Sequence, residues 1–287
     1  MWMLYYRFFC LFVLVLTIET ATASSKKQSE PGVTHRDNSY SFGVVPQFAQ
    51  RKSFKIWQPI LLELEKRTGL HFVLKGSSII PAFEEQFMSG GFDFAYMNPY
   101  HFALASSRQG YIALVRDGGR SLNGVLLVRR DSPIQSVDQL SGKVIAFPAP
   151  NALGASLLIR NELQNNYNIS FIPKYVQTHS SVYLHVLKHL VDAGGGVVQT
   201  LNSQKPSIRN NLRIIFQTRS ISPHPITVHP RVPVEHRELV KRAFLDMAQS
   251  ESGKKLLAKI PIKKAIATSI ADYRNILSWK LEALYVP

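Results

Sequence analysis

Residues 92–100, FDFAYMNPY, decide the fold of this chain. An apolar strand with Asp93 near its start runs directly into a polar loop that contains Pro99. In an α/β sheet, such corners deliver side chains to the crevice beyond the carboxyl ends of the strands, where ligands bind. Residues 144–156, VIAFPAPNALGAS, form a second corner, from a strand through a Pro-rich turn to a helix start. Two such corners in separate halves of the chain predict a two-lobed binder that holds a ligand between its lobes.

Strand and helix patterns alternate along most of the chain after residue 39. The first helix is predicted to end at Gly69, because glycine is the usual residue just past a helix C-terminus. The apolar residues on one face of this helix are Trp57, Ile60, Leu61 and Leu64. Further helices are predicted over residues 80–88, 99–109, 151–164, 181–191, 234–248, 252–258 and 270–284. Strands that alternate with helices in this way favour a mostly parallel sheet.

The first 23 residues resemble a secretory signal peptide. Arg7 lies in a short N-terminal region, and residues 8–18 form an apolar core that is too short to span a bilayer. The sequence Ala-Thr-Ala that ends at Ala23 is a small-x-small site, so we expect cleavage after Ala23 and a periplasmic mature protein. An uncleaved membrane anchor is the alternative interpretation.

The single cysteine, Cys10, lies within this segment. The exported form is therefore predicted to have no disulfide, no thiolate metal site and no cysteine nucleophile. Residues 24–38 are polar and are predicted to be a disordered lead-in to the fold. The remaining chain is long enough, at 45% hydrophobic composition overall, to build one large core or two modest ones.

The formal net charge is +15. Three interpretations are open: a solvated basic surface, attraction of an anionic ligand or lipid surface, and nucleic-acid binding. The basic residues are scattered along the sequence rather than arranged in stripes with aromatic residues. This scatter favours the solvated surface, and we expect no nucleic-acid partner.

Several short motifs occur in a characteristic order. They are residues 42–46 (FGVVP), 57–66 (WQPILLELEK), 93–99 (DFAYMNP), 131–134 (DSPI), 150–151 (PN), 177–179 (QTH), 191–193 (VDA) and 222–226 (SPHPI). Their order and spacing resemble those of the phosphonate and phosphite periplasmic binding proteins of ABC transporters. The resemblance implies an α/β protein with a two-lobed type II periplasmic binding fold, in which mixed sheets are flanked by helices and a ligand cleft lies between the lobes.

Two predicted strands, at residues 122–129 and 226–229, are natural crossings between the lobes. We therefore expect a discontinuous lobe 1, formed by residues 39–126 and 227–287. Lobe 2 is expected to comprise residues 127–226.

The resemblance also implies a function. The chain is expected to be an exported, monomeric solute-binding protein, not an enzyme and without a cofactor or metal. It would clasp a small phosphonate-like or phosphite-like oxyanion at a helix N-terminus and deliver it to an ABC permease. A ligand sensor that signals to a membrane kinase, and a non-phosphorus ligand on the same fold, are the alternatives. An enzyme on this fold is disfavoured, since no acid/base constellation is apparent in the sequence.

The candidate ligand-binding residues lie at the two corners and at three later positions. They are Tyr96, Met97, Asn98, Tyr100, Asn151, Ala152, Leu153, Gly154, His179, Gln199 and His224. Three of the corner positions, Ala152, Leu153 and Gly154, stand where the family usually carries hydroxyl residues. Gln199 and His224 stand where members that take aminoalkyl phosphonates are acidic. The resemblance therefore implies an anion that is held mainly by dipoles, and it disfavours a zwitterionic aminophosphonate.

A structural role is also open for several of these residues. Tyr96 could belong to the core, Asn98 to a turn, and Asn151 could simply cap a helix. His179 could be a satisfied buried histidine, and His224 a surface turn residue. Elsewhere, His185 and His189 are interpreted as part of a solvent-facing helix rather than a metal site, and residues 194–196 (GGG) as a place of close backbone approach.

Overall fold

The structure is a computed structural model that describes residues 39–260 and 262–286, all of which belong to one compact unit. The predicted signal peptide and lead-in lie outside the described residues. Among the described residues, none of the helices combines the length and the apolar character that crossing a membrane requires.

Two sheets organise the described chain. Its strands are β1 (Ser39–Val44), β2 (His71–Gly76), β3 (Phe94–Tyr96), β4 (Ile112–Asp117), β5 (Gly124–Arg129), β6 (Val144–Phe147), β7 (Ile172–Tyr175), β8 (Ala193–Val197), β9 (Leu212–Gln217), β10 (Ile226–Val228) and β11 (Ala265–Ala267). The first sheet has the order β11-β4-β10-β3-β1-β2, and the second has the order β7-β6-β8-β5-β9.

Helices flank both sheets. The α-helices of the described residues are α1 (Gln50–Thr68), α2 (Ile80–Met88), α3 (Pro99–Gln109), α4 (Leu158–Asn165), α5 (His179–Leu187), α6 (Val198–Asn202), α7 (Pro206–Arg209), α8 (Val234–Met247), α9 (Glu251–Leu257) and α10 (Arg274–Leu277). Short 3₁₀ helices lie at Val137–Leu140, Ile270–Asp272 and Leu281–Leu284, and a π-helical turn at Leu153–Leu157 precedes α4.

The prediction of mostly parallel sheets was wrong. β1 is parallel to β2 and β3, and β6 is parallel to β7 and β8, but the other five of the nine pairings among the described strands are antiparallel. Four of these five antiparallel pairings involve β5 and β10, which carry the chain from one sheet into the other, and the fifth joins β11 to β4. Each crossing strand enters its new sheet against the direction of its neighbours, and the alternation of helices and strands does not reveal such a crossing.

The crossing strand β5 belongs wholly to the second sheet. The expected lobe boundary between residues 126 and 127 falls inside this strand, so a division that follows the sheets lies just before Gly124. Alternate residues of β5 face two different cores. Leu126 and Val128 pack on one side of the second sheet, while Val125 and Leu127 pack on the other.

Helix α1 shows why the local predictions of helices succeeded. Its buried residues are the four predicted ones, Trp57, Ile60, Leu61 and Leu64. Gly69 ends the helix in the left-handed conformation at φ 70°, and its N–H donates to the Glu65 carbonyl. These buried residues pack on the first core, which is the large hydrophobic cluster around the first sheet. There the rings of Trp57 and Phe42 lie 5.4 Å apart between centroids.

Two helix predictions were wrong in their bounds. The predicted helix over residues 270–284 is broken into Ile270–Asp272, α10 and Leu281–Leu284, and Lys280 takes a left-handed φ of 52° between the last two. The predicted helix at 181–191 spans His179–Leu187 instead. Strand β11 and the short helices α6 and α7 were not predicted.

Candidate ligand-binding cleft

A small cavity lies between the two sheets, where the two sequence corners meet. Its lining residues are Val45, Gln47, Ile80, Asn98, Ala152, Leu153, Gly154, Ala155, His179, Val197 and His224. Most of them follow the carboxyl ends of β1, β3, β6, β7 and β8, which is where open α/β sheets bind ligands. The volume within which the centre of a water molecule can lie is ≈ 20 Å³, which is enough for about one ordered water.

Three helical segments begin at this cavity. Asn98 caps α3, and its Oδ1 accepts from the His101 N–H at 2.8 Å. The π-helical turn begins after Ala152 and continues into α4. α5 begins after Thr178, whose hydroxyl accepts from the Ser181 N–H at 3.1 Å. Because helix N-termini carry free N–H groups and the positive end of the helix dipole, their convergence favours an anion.

The turn at Leu153–Leu157 reaches the cavity because glycines let it pack directly on the second sheet. A Cβ atom at Gly124 would lie 1.9 Å from the Gly154 carbonyl oxygen, and one at Gly195 would lie 2.1 Å from the Ala155 carbonyl oxygen. The predicted close backbone approach at residues 194–196 is confirmed. The Leu157 N–H donates to the Ala152 carbonyl at 3.2 Å, in the wider i→i+5 pattern that often marks functional sites.

His179 and His224 are both buried in the cavity wall. Burial lowers the pKa of His179 to about 4. Burial, followed by the nearby His101 and His179, lowers the pKa of His224 to about 3. Both imidazoles are therefore neutral at pH 7. The His224 ring stacks on Tyr96 at 5.2 Å, and its Nε2 lies 3.3 Å from the Gln47 Nε2.

The structure brings six of the eleven candidate residues together in the cavity lining. They are Asn98, Ala152, Leu153, Gly154, His179 and His224. Asn98 also bridges the two sheets, since its Nδ2 donates to the Asn151 carbonyl at 3.4 Å.

The other five candidate residues do not line the cavity. Tyr96 lies behind the His224 ring and also contacts Trp57. Met97 is fully buried in the first core, and Tyr100 contacts Tyr285. Gln199 lies in α6, just after β8, and its Nε2 donates to the Ser121 carbonyl at 3.4 Å.

Asn151, the fifth, is engaged elsewhere. Its Nδ2 donates to Glu84 Oε2 at 3.0 Å and to the Val286 carbonyl at 2.6 Å, while its Oδ1 accepts from the Val286 N–H at 3.0 Å. Asn151 therefore ties the second corner to α2 and to the C-terminal residues. It does not cap the following helix, which begins after Ala152.

Five lining residues were missed by the sequence reasoning. They are Val45, Gln47, Ile80, Ala155 and Val197. Val45 and Gln47 follow the end of β1, and Val197 ends β8. The rule that ligands bind beyond the carboxyl ends of strands could have found these three, had it been applied to every parallel strand.

The histidine pair in α5 supplies no metal site. His185 Nδ1 contacts the Ser181 carbonyl at 2.7 Å, and His189 lies beyond the helix with a left-handed φ of 55°. Nowhere in residues 39–260 and 262–286 do three or more His, Cys, Asp or Glu side chains form a group that could hold a metal ion.

Two mixed sheets flanked by helices, with a cleft at their carboxyl ends, define a two-lobed periplasmic binding protein. A comparison with protein families matches residues 42–273 to the family described as the periplasmic substrate-binding protein of phosphonate ABC transporters. The chain therefore belongs to this family. Its members are substrate-binding components of transport systems, which bind a small molecule and work with an ABC permease.

Solved structures show the same fold at low sequence identity. The binding protein of a phosphonate ABC transporter from Pseudomonas aeruginosa has a TM-score of 0.78 and 15% identity, over 86% of this chain and 87% of its own. PhnD1 from Prochlorococcus marinus, in complex with methylphosphonate, has a TM-score of 0.78 and 16% identity, over 87% of this chain and 100% of its own. A Xanthomonas citri protein bound to ATP has a TM-score of 0.68 and 17% identity, over 86% and 98% of the two chains. A comparison with curated protein sequences finds no match.

Proposed function

We propose that this protein captures a small oxyanion of the phosphonate or phosphite kind in the cavity between its lobes and delivers it to an ABC permease. The convergence of three helix N-termini, at Asn98, at Leu153 and at His179, carries this proposal. The amides of residues 153–155 have no acceptor among the described residues and are free to donate to a ligand.

The rest of the lining supports a small ligand without an ammonium group. No lysine, arginine or carboxylate lines the cavity among the described residues. An ammonium group would therefore find no charged partner, and its desolvation would be uncompensated. Val45, Ile80 and Leu153 form an apolar wall that suits a hydrogen or methyl substituent on phosphorus. No serine, threonine, cysteine or carboxylate side chain lines the described part of the cavity, which supports a binding role rather than catalysis.

Ligand entry requires the lobes to part. A cavity with room for about one water is smaller than a tetrahedral oxyanion with its substituent. Opening and closing about the crossing segments, as in other two-lobed binders, would admit the ligand and then remove it from water. We propose residues 39–123 and 226–287 as lobe 1 and residues 124–217 as lobe 2, in a periplasmic monomer released after Ala23.

Thermal unfolding of the protein from Ser24 onward tests the ligand class. The panel is phosphate, phosphite, methylphosphonate, aminoethylphosphonate, methanesulfonate and acetate. A ligand at 100 times its Kd stabilises the fold by about 2.7 kcal/mol, which shifts the melting curve measurably. We expect shifts with phosphite or methylphosphonate and none with aminoethylphosphonate. Shifts only with carboxylates would overturn the phosphorus assignment.

A matched pair of variants locates the site. His224→Gln removes a ring from the cavity wall, and we expect it to abolish the shift given by methylphosphonate. His189→Gln changes an exposed histidine that lies beyond the C-terminal end of α5 and outside the cavity lining, and it should leave that shift intact. Equal shifts in both variants would place the anion elsewhere.

A further inference from the structure

The two histidines in the cavity wall have opposite hydrogen-bonding roles. We infer that the cavity selects the singly protonated form of its oxyanion, with His179 Nε2 accepting the proton of the ligand O–H group. The inference rests on the proposed function and specifies which ionic form of the ligand is bound.

The hydroxyl of Thr200 fixes the proton on His179. Its Oγ1 lies 3.0 Å from the Val197 carbonyl, 2.5 Å from the Tyr183 hydroxyl and 3.2 Å from His179 Nδ1. The carbonyl can only accept, so the one hydroxyl proton of Thr200 is used there. Tyr183 then donates to Thr200, and its hydroxyl also lies 3.5 Å from the Val197 carbonyl.

His179 must donate to Thr200 as well. If Thr200 donated to the ring instead, the buried Val197 carbonyl would lose its closest side-chain donor. The Thr200 hydroxyl would then take part in two hydrogen bonds rather than three. Buried polar groups are rarely left unpaired, so the arrangement with three bonds is preferred. His179 therefore carries its proton on Nδ1. In a neutral imidazole the other nitrogen, Nε2, is then an acceptor.

Nε2 is the free atom of the His179 ring. The contact of the ring with Thr200 is made by Nδ1, and the ring lines the cavity, which leaves Nε2 available to a ligand. A lone pair at this position repels a bare anionic oxygen but accepts from an O–H group. The protein holds His179 in this state across the neutral range, because burial keeps its pKa near 4.

His224 has the complementary role. The Gln47 amide nitrogen can only donate, so His224 Nε2, which lies 3.3 Å from it, accepts. The ring proton is then on Nδ1, which has no partner among the described residues. The cavity thus offers donors in His224 and the helix amides, and an acceptor in His179. A singly protonated oxyanion matches this set, whereas a dianion has no O–H for His179.

The surrounding titratable groups do not supply a compensating charge. Tyr96, His101 and His179 act on His224, and Tyr183 is linked to His179 only through the Thr200 hydroxyl. Glu84 lies one layer further out, with its Oε1 2.8 Å from His101 Nε2. Since no cation lines the described part of the cavity, the desolvation of a dianion would be far more costly than that of a monoanion.

The pH dependence of methylphosphonate binding tests the inference in the unmodified protein. Calorimetric Kd values are measured between pH 5.5 and 9, where His179 and His224 stay neutral. Phosphorus oxyanions lose their second proton near neutrality, at about pH 6 for phosphate monoesters. Above the second pKa of the ligand, we expect Kd to rise by about tenfold per pH unit, as the protonated form disappears. A Kd that is constant or falls over this range would overturn the inference and leave the proposed function intact.

Methanesulfonate provides the second comparison, because it is a monoanion of similar shape without an O–H group. We expect it to bind at least about tenfold more weakly than methylphosphonate at low pH, since His179 Nε2 is left unpaired. Equal affinities would contradict the role of His179. Absence of binding by every phosphorus oxyanion at every pH would instead refute the proposed function.

The His179 tautomer can be measured without any ligand. Nitrogen-15 NMR of labelled histidine distinguishes Nδ1–H from Nε2–H, and a His179→Gln variant assigns the signals. We expect Nδ1–H in the native protein and in Thr227→Val, which loses a buried hydroxyl bonded to the Ala95 carbonyl in the first sheet. Thr200→Val should lose the preference for the Nδ1–H tautomer. The difference between its affinities for methylphosphonate and methanesulfonate should also be smaller than in the native protein. An Nε2–H tautomer in the native protein would overturn the inference.

Discussion

Burial of His179 and His224 makes the fold sensitive to acid. An unfolded histidine takes up a proton near pH 6.5, whereas these two do so only near pH 4 and pH 3. Between pH 6.5 and pH 4 the unfolded state therefore binds more protons than the native state. The free energy of unfolding falls as the pH is lowered through this window.

We expect each histidine to cost roughly 2 kcal/mol of stability at pH 5 relative to pH 7.5. Urea unfolding at the two pH values measures the difference. His179→Gln should shrink the difference by about that amount, and His189→Gln, at an exposed position, should not. An unchanged difference in His179→Gln would show that this histidine is not held neutral in the native state.

At the residue scale, Gln177 has an unusual backbone conformation, with a φ of 72°. This left-handed conformation is unfavourable for residues other than glycine and commonly occurs beside functional sites. The residue lies two positions before His179, at the start of α5.

At the scale of elements, contact between backbones decides how the second corner sits on its sheet. Gly124 opens β5 and lies directly under the Gly154 carbonyl. We expect Gly124→Ala to destabilise the protein by about 3 kcal/mol, because the added methyl group overlaps backbone atoms that cannot move aside. Urea unfolding measures the loss.

Gly119→Ala is the matched control, since its Cβ would have only ordinary contacts, the nearest at 3.6 Å. It should change stability by less than about 0.5 kcal/mol. Similar losses in the two variants would show that the turn at Leu153–Leu157 does not pack on β5 as described.

Strand β11 depends on a single buried carboxylate. Asp117, at the end of β4, accepts from the N–H groups of Lys263 at 3.1 Å and Lys264 at 2.8 Å through Oδ1. Asp117→Ala would leave these donors unpaired, and we expect a loss of about 3 kcal/mol.

Asp131→Ala is the control, because Asp131 is exposed and its ion pair with Arg129 lies on the surface. Its loss should be much smaller than that of Asp117→Ala, because exposed ion pairs are screened by water. Denaturant unfolding of both variants measures their free energies of unfolding. Equal losses in the two variants would mean that Asp117 is not the residue that holds β11 in place.

At the scale of the whole molecule, the C-terminal strap, residues 281–286, joins the two lobes. Leu281 is buried in the first core. Further along, the Leu284 carbonyl accepts from Arg160 Nη2 at 2.8 Å, and both backbone polar groups of Val286 bond to Asn151. Arg160 and Asn151 lie in the segment proposed as lobe 2. The strap therefore spans the lobes in the conformation described, in which the cleft is nearly closed.

A chain that ends at Ala283 keeps Leu281 but loses these bonds. We expect methylphosphonate affinity to fall by about tenfold, because a few hydrogen bonds that favour the closed state are removed. X-ray scattering should show a larger radius of gyration without ligand. Full-length protein with Tyr285→Ala controls for the lost ring contact with Tyr100. Unchanged affinity and scattering would show that the strap does not influence closure.

The sequence by itself determined the elements whose signals are local. The buried face of α1, the limits of α2 and α3, and the two corners follow from apolar spacing and from glycine and proline at the boundaries. These features depend on contacts between residues close in the chain. The order of the motifs indicated the family for the same reason, since each motif is a short segment with its own turn or cap.

Only the tertiary structure decided how distant segments meet. The antiparallel pairings of β5 and β10, the inclusion of Gln47 in the cavity and the use of Asn151 by the strap all join residues far apart in sequence. Side-chain patterns specify which face of an element is buried, but not which element covers it. The hydrogen-bonding state of His179 is the clearest case, because it depends on Thr200 in α6, 21 residues further along the chain.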